Sequence, residues 1–144
     1  MKSNQLKVKL LYRESKLPIY GRPGDAGIDL FAHSVKILSG THVHYGTGIA
    51  VEVPQGYVGL LIQRSNTVKR GLRLKNCVGV IDSNFRGEIM VDFATGPSAS
   101  GLYYVGDRIA QLVIVPCPTM EIVNAADLSD TNRGDKGFGS SGGC

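Results

Sequence analysis

Short runs of β-branched and aliphatic residues, each cut off by glycine, proline or a polar turn, dominate this chain. LKVKLLY (6–12) alternates with period two, and VKIL (35–38), TGIAVEV (47–53), YVGLLIQ (57–63), NCVGVI (76–81), EIMVDFA (88–94) and RIAQLVIVP (108–116) follow it. RPGDAG (22–27), LSG (38–40), VPQG (53–56) and TGPSASG (95–101) mark the turns between them. Side chains of this kind suit a pleated, half-buried surface. Many short strands with frequent turns predict an all-β sandwich, jelly roll or barrel. Helical periodicity occurs once, in SNTVKRG, with Ser65 as N-cap and Gly71 as the stop.

The chain has 144 residues, which suits one domain. Apolar periodicity gives way after residue 124, so a β domain is expected over 1–124 and a flexible glycine-rich arm over 125–144. The net charge of +4 comes without a basic run. It is too mild to argue for direct nucleic-acid binding and weakly favours a small polyanion. The three cysteines, Cys77, Cys117 and Cys144, are odd in number and lack CxxC spacing. They read as free thiols of a reducing compartment, with Cys77 and Cys117 in the core. MKSNQLKVKLLYRES has no signal-peptide pattern, and no apolar run approaches a membrane span. A soluble intracellular protein without membrane partners is expected.

Five stretches carry residues capable of chemistry. In DAGIDLFA (25–32), Asp29 lies among small and core-like residues and reads as a turn or strand-end aspartate. In QRSN (63–66), a strand runs into Arg64, Ser65 and Asn66 at a helix start. Ser65 is a cap there, and free N–H groups beside a guanidinium fork also favour an anion. In NCVGVIDSNFRGE (76–88), two short strands flank a turn. They predict a hairpin whose tip exposes backbone groups able to read a flat base. Asp82 stands at a strand end with Phe85 nearby, placed to act as a general base on water. In GDRIAQLV (106–113), Asp107 and Arg108 read as structural residues leading into a strand. Gln111 faces the same side as Ile109 and offers a donor to a phosphate oxygen.

The fifth stretch is the end of the chain, RGDKGFGSSG (133–142). Its glycines permit close backbone approach to an anion. It has neither the GK[ST] order of a P-loop nor the strand and helix that frame a dinucleotide fingerprint. Arg133 can pair with a phosphate and Phe138 can stack on an aromatic ligand. His42 and His44, in THVHYG, lie on one face of a possible strand. Lacking a third local ligand, they read as structural or solvent-exposed rather than zinc-binding. Arg133-Gly134-Asp135 matches an integrin-type tripeptide, by coincidence in a chain without secretion signals.

Taken in order, AGIDLFA, RSN, GVIDSNFRGE, GDRIAQ and RGDKGFGSSG resemble the five motifs of the homotrimeric dUTPase family, from about Asp25 to Gly142. The resemblance implies a jelly-roll-like (β-clip) fold assembled as a trimer, each active site drawing on several subunits and closed by the arm. It implies hydrolysis of dUTP to dUMP and pyrophosphate, which keeps uracil out of DNA and supplies dUMP for thymidylate synthesis. Asp82 would activate the attacking water, and Mg²⁺ would bridge the phosphates with Asp29 in its outer shell. Arg64, Ser65, Asn66 and Gln111 would hold phosphate oxygens. Asn76 and the backbone of Val80 and Ile81 would read uracil, and Phe85 would pack on the deoxyribose. Arg133, Phe138, Gly139, Ser140 and Ser141 would close from the arm.

This chain departs from the family pattern in three places. Asn84-Phe85 stands where Asp-Tyr is usual, Asn66 follows Arg64-Ser65 where Gly or Ser is common, and Ser141 replaces Thr. Two rival functions fit the same kind of fold. A dCTP deaminase would use a glutamate on the strand after the third motif, where this chain has Asp92. A catalytically weakened nucleotide-sensing or protein-binding module would keep the fold without the turnover.

Overall fold

Ten strands and one short helix make up the regular structure of the computed structural model, which describes residues 5–97 and 100–139. In chain order they are β1 (Lys7–Leu10), β2 (Ile19–Tyr20), β3 (Ile28–Phe31), β4 (Ser34–Ser39), β5 (His42–Glu52), β6 (Tyr57–Gln63), α1 (Ser65–Lys69), β7 (Leu72–Leu74), β8 (Gly79–Ile81), β9 (Glu88–Thr95) and β10 (Arg108–Pro116). They form two antiparallel sheets. One runs β1-β5-β9-β7, with β4 also on β5, and the other runs β2-β3-β10-β6-β8. This is the all-β, jelly-roll-like architecture with one helix that the turn spacing predicts.

Alternation places the core between the sheets. Ile89, Val91 and Phe93 of β9 are buried while Met90 is exposed and Asp92 half-exposed. They meet Val43 and Tyr45 of β5 and, from the other sheet, Leu30 of β3, Leu61 of β6 and Leu112 of β10. A polar thread crosses this core. The Tyr45 hydroxyl donates to the Tyr103 carbonyl (3.0 Å) and accepts from the Tyr103 N–H (2.9 Å), and the Tyr103 hydroxyl meets Thr67 Oγ1 at 2.9 Å. Thr67 is the buried residue of α1, so these bonds fasten the helix, and the residues leading into it, to β5 through the segment before β10.

Several expectations are corrected. β8 and β9 do not form a hairpin: β8 pairs with β6, β9 with β5 and β7, so residues 82–87 step from one sheet to the other. Ser65 is the first residue of α1 rather than its cap. Arg64 takes the cap position in an extended conformation, and no side chain caps the helix. Gly71 does end the turn, at φ +70°. Cys77 and Cys117 are exposed, because each falls in a connection and not in the neighbouring strand. β2, β3 and β7 are additional to the predicted strands. Beyond Pro116 the described residues form no strand or helix and are exposed through Gly139. Ser140, Ser141 and Cys144 lie outside the described residues. No described helix is long and apolar enough to cross a membrane.

Candidate active site

One group of site residues converges on Asp29. β3 and β10 pair so that Gln111 stands opposite Asp29. In a regular strand, residues three apart point to opposite faces, which would aim Arg108 away. The ladder shifts register between Arg108 and Ala110, and this bulge restores Arg108 to the side of Gln111. The same bulge leaves Ile109 and Ala110, neighbours in sequence, both fully buried. It also breaks the expected pairing of Gln111 with Ile109 on one face.

The Asp29 carboxylate is 3% exposed, and three donors reach it. Arg64 Nε and Gln111 Nε2 lie 3.1 and 3.3 Å from Oδ1, and Arg108 Nη1 lies 3.1 Å from Oδ2. A second Arg64 nitrogen donates to the Arg108 carbonyl at 3.2 Å. Gly27 makes the arrangement possible: a Cβ there would come within 2.8 Å of Gln111 Cδ. A buried carboxylate needs partners, and here two guanidiniums share one anion. One positive charge is left over, with N–H groups of Arg64 (25% exposed) and Arg108 (45%) still open to solvent. Ser65 and Asn66 are exposed beside them. Such a cluster is preorganised to take a polyanion. Arg108 was not among the predicted site residues, since strand parity hides it until the bulge is known.

A second group lies at the far end of β6. Asp82 follows β8 and is exposed, and its carbonyl accepts the Phe85 N–H at 3.1 Å to close a turn. Arg86 donates to the carbonyls of Ser83 (2.7 Å) and Phe85 (2.9 Å), fixing that turn from outside. The Phe85 ring lies over Gly87, where a Cβ would meet Cζ at 2.6 Å. Among the described residues β8 is one of the two edge strands of its sheet, with Val80 exposed and Ile81 buried. An edge strand presents unpaired N–H and C=O groups. Asn76, in the turn before β8, lines a cavity of about 330 Å³ together with His42, Lys75, Met90 and Asp92.

The two groups are separate within one chain. The register Ile81↔Gly59 places Asp82 beside Val58, six residues from Arg64 along β6. That is ~20 Å at the rise of an extended strand. A phosphate held at Arg64 is therefore remote from the same chain's Asp82.

In the arm, Arg133 folds onto its own backbone, donating to the carbonyls of Lys136 (3.0 Å) and Gly137 (3.3 Å). Phe138 is fully exposed and Gly139 has φ +79°. Among the described residues no group of three or more His, Cys, Asp or Glu side chains is placed to hold a metal. Asp92 accepts from His42 Nε2 (2.6 Å) and His44 Nδ1 (2.9 Å). Burial alone pushes its carboxyl up, but the hydrogen bonds and charge of the two histidines outweigh that and hold it below the usual aspartate range.

A family model for dUTPase matches residues 13–142. The chain is 41% identical over 141 residues to the deoxyuridine 5'-triphosphate nucleotidohydrolase of Hydrogenobaculum sp., covering 96% of this chain and 98% of that protein. In structure it resembles a mutant dUTPase of Staphylococcus bacteriophage 80alpha with dUpNHpp, at TM-score 0.85 and 30% identity, covering 97% and 99% of the two chains. It also resembles a mutant dUTPase of phage phi11 of S. aureus, described as revealing the coordination of a structural Mg(II) ion, at TM-score 0.76 and 27% identity, covering 88% and 100%.

Proposed function

The chain belongs to the dUTPase family, and from that premise we propose a division of labour among its residues in the hydrolysis of dUTP to dUMP and pyrophosphate. Water adds to the α-phosphorus as the bond to the bridging oxygen of pyrophosphate breaks. Asp82 orients that water and takes its proton. Arg64, Arg108 and Gln111, with Ser65 and Asn66, hold the phosphoryl oxygens, so the reaction rests on positioning and charge neutralisation rather than a covalent intermediate. The observation that carries this reading is the buried Asp29 carboxylate, which locks the two guanidiniums in place and leaves their remaining donors facing out.

Asp29 already accepts three hydrogen bonds, and no cage of protein ligands stands among the described residues. A Mg²⁺ ion bound with the triphosphate would be held through water, with Asp29 in its outer shell. When bound, such an ion neutralises phosphate charge.

The backbone of Val80 and Ile81, at an open sheet edge, reads O4 and N3–H of uracil with support from Asn76. Cytosine would leave polar groups unpaired there, which discriminates strongly. Phe85, seated on Gly87, packs against the deoxyribose and leaves no room for a 2′-hydroxyl. The ~20 Å along β6 between Asp82 and Arg64 favours sites assembled between subunits of a homotrimer. The arm then closes each site through Arg133, Phe138, Gly139, Ser140 and Ser141. In the cell, the product dUMP feeds thymidylate synthesis, and removal of dUTP keeps uracil out of DNA.

Deamination of dCTP at the same fold would need Asp92 as a base. A carboxylate held acidic by two imidazoles is poorly suited to that task. The test is product analysis with dUTP, dCTP, UTP and dTTP supplied separately with Mg²⁺. Formation of dUMP and pyrophosphate from dUTP alone is expected. A uracil nucleotide formed from dCTP would move the function to a deaminase, and binding of dUTP without turnover would leave a sensing module.

A further inference from the structure

The two histidines that the proposed reaction leaves unused form a chain of contacts leading to the base-reading turn. Their missing third partner is supplied by the fold: Asp92 of β9 stands directly across the ladder from His44 of β5. Both imidazoles donate to the same oxygen, Asp92 Oδ1. With Nε2–H of His42 donating to Asp92, its Nδ1 is the acceptor, and Lys75 Nζ donates to it at 3.3 Å. The backbone N–H of Lys75 donates to the Asp92 carbonyl at 2.9 Å. Lys75 is thus tied to β9 through its main chain and to β5 through its side chain.

The next residue is Asn76, and the turn it begins needs support. Val78 N–H donates to the Asn76 carbonyl at 2.6 Å, Cys77 N–H to the Leu74 carbonyl at 3.2 Å, and Cys77 has φ +60°. Positive φ is uncommon for a residue with a Cβ and persists where the surroundings hold it. Residues 75–78 are all exposed, so packing does not hold this turn. The fixed points next to it are Lys75 and the Leu74 N–H, which donates to Gln63 Oε1 at 3.0 Å.

We infer that His42, Asp92 and Lys75 form a brace that positions Asn76 for the uracil base, with His42 as its central positioning residue. The inference rests on the proposed role of Asn76 in base recognition. His42 suits the place because the neutral ring is donor on one side and acceptor on the other. The contact with Lys75 requires that neutral ring.

The experiment compares the full-length protein with His42→Ala, His42→Gln and Lys75→Met, reading kcat and KM for dUTP and amide exchange of the turn. His42→Ala is expected to raise KM about 10-fold with kcat changed by less than about twofold, the mark of weakened binding rather than weakened chemistry. Exchange at Cys77 and Val78 is expected to quicken. His42→Gln, which keeps a donor and an acceptor, restores both readouts in large part. Lys75→Met, at an exposed position, gives the same KM rise if His42→Ala fails to fold. KM within about twofold of the unmodified protein in the folded variants, or a raised KM with unchanged turn exchange, overturns the brace. If the unmodified protein hydrolyses no dUTP, the proposed function falls, and turn exchange alone then decides the brace.

Discussion

Gln111 reaches Asp29 across the β3–β10 ladder, 3.3 Å from amide nitrogen to carboxylate oxygen, through space left open by Gly27. Replacing Gly27 with Ala puts a methyl group 2.8 Å from Gln111 Cδ. Overpacking of this kind costs about 1–3 kcal/mol, and displacement of Gln111 is expected to lower kcat/KM for dUTP about tenfold. Urea unfolding and steady-state kinetics check the two effects.

Asp29→Asn keeps the shape and removes the anion that both guanidiniums share. Losing one partner of a buried pair costs about 3–5 kcal/mol, and the low end is expected because Arg108 is half-exposed. Denaturant titration measures it. A loss below about 1 kcal/mol would mean that solvent already screens the cluster.

Asp82→Asn leaves the turn and the remote phosphate residues intact. Turnover is expected to fall by about 10²–10⁴ while dUpNHpp still binds. Calorimetric titration with that analogue separates lost chemistry from lost binding.

Gly87→Ala drives the Phe85 ring off its seat, since the added carbon would lie 2.6 Å from Cζ. Discrimination between dUTP and UTP is expected to shrink about tenfold, with less effect on discrimination against dCTP. The ratios of kcat/KM for the three nucleotides give the answer.

Asp92 links stability to acidity. Its unfolded value is near 3.8 and its folded value is lower, so its contribution is fully present above the unfolded value. That contribution disappears as pH falls through the folded value. Asp92→Asn should therefore be less stable than the unmodified protein near neutrality, with the gap closing on acidification below about pH 4. Thermal melts across that range test the sign.

The central strands were legible because their signals are local. β6 and β10 span 57–63 and 108–116, as their β-branched runs between turn residues predict. β3 was harder to read, since a charged Asp29 interrupts a strand of four residues. Its burial makes sense only with Arg64 and Arg108, which lie 35 and 79 residues away in the sequence. The bulge between Arg108 and Ala110 follows from pairing with β3, and nothing in GDRIAQ announces it. The hairpin assigned to 76–88 failed for a related reason. Neighbouring strands commonly pair, whereas β8 joins β6, beyond the intervening α1 and β7. Motif order singles out Asp82, Phe85 and Asn76, but their placement at a sheet edge, a glycine seat and a strained turn belongs to the tertiary structure.

The span of β6 between Asp82 and Arg64 also bears on inheritance. A subunit lacking its aspartate and a subunit lacking its arginine carry different defects. In the assembly proposed above, an intact aspartate from one subunit would meet an intact arginine from another. On that proposal two inactive alleles would rescue each other, and a single defective copy would also spoil a neighbour's site. Selection on either half would then act on the company the chain keeps as much as on the chain itself.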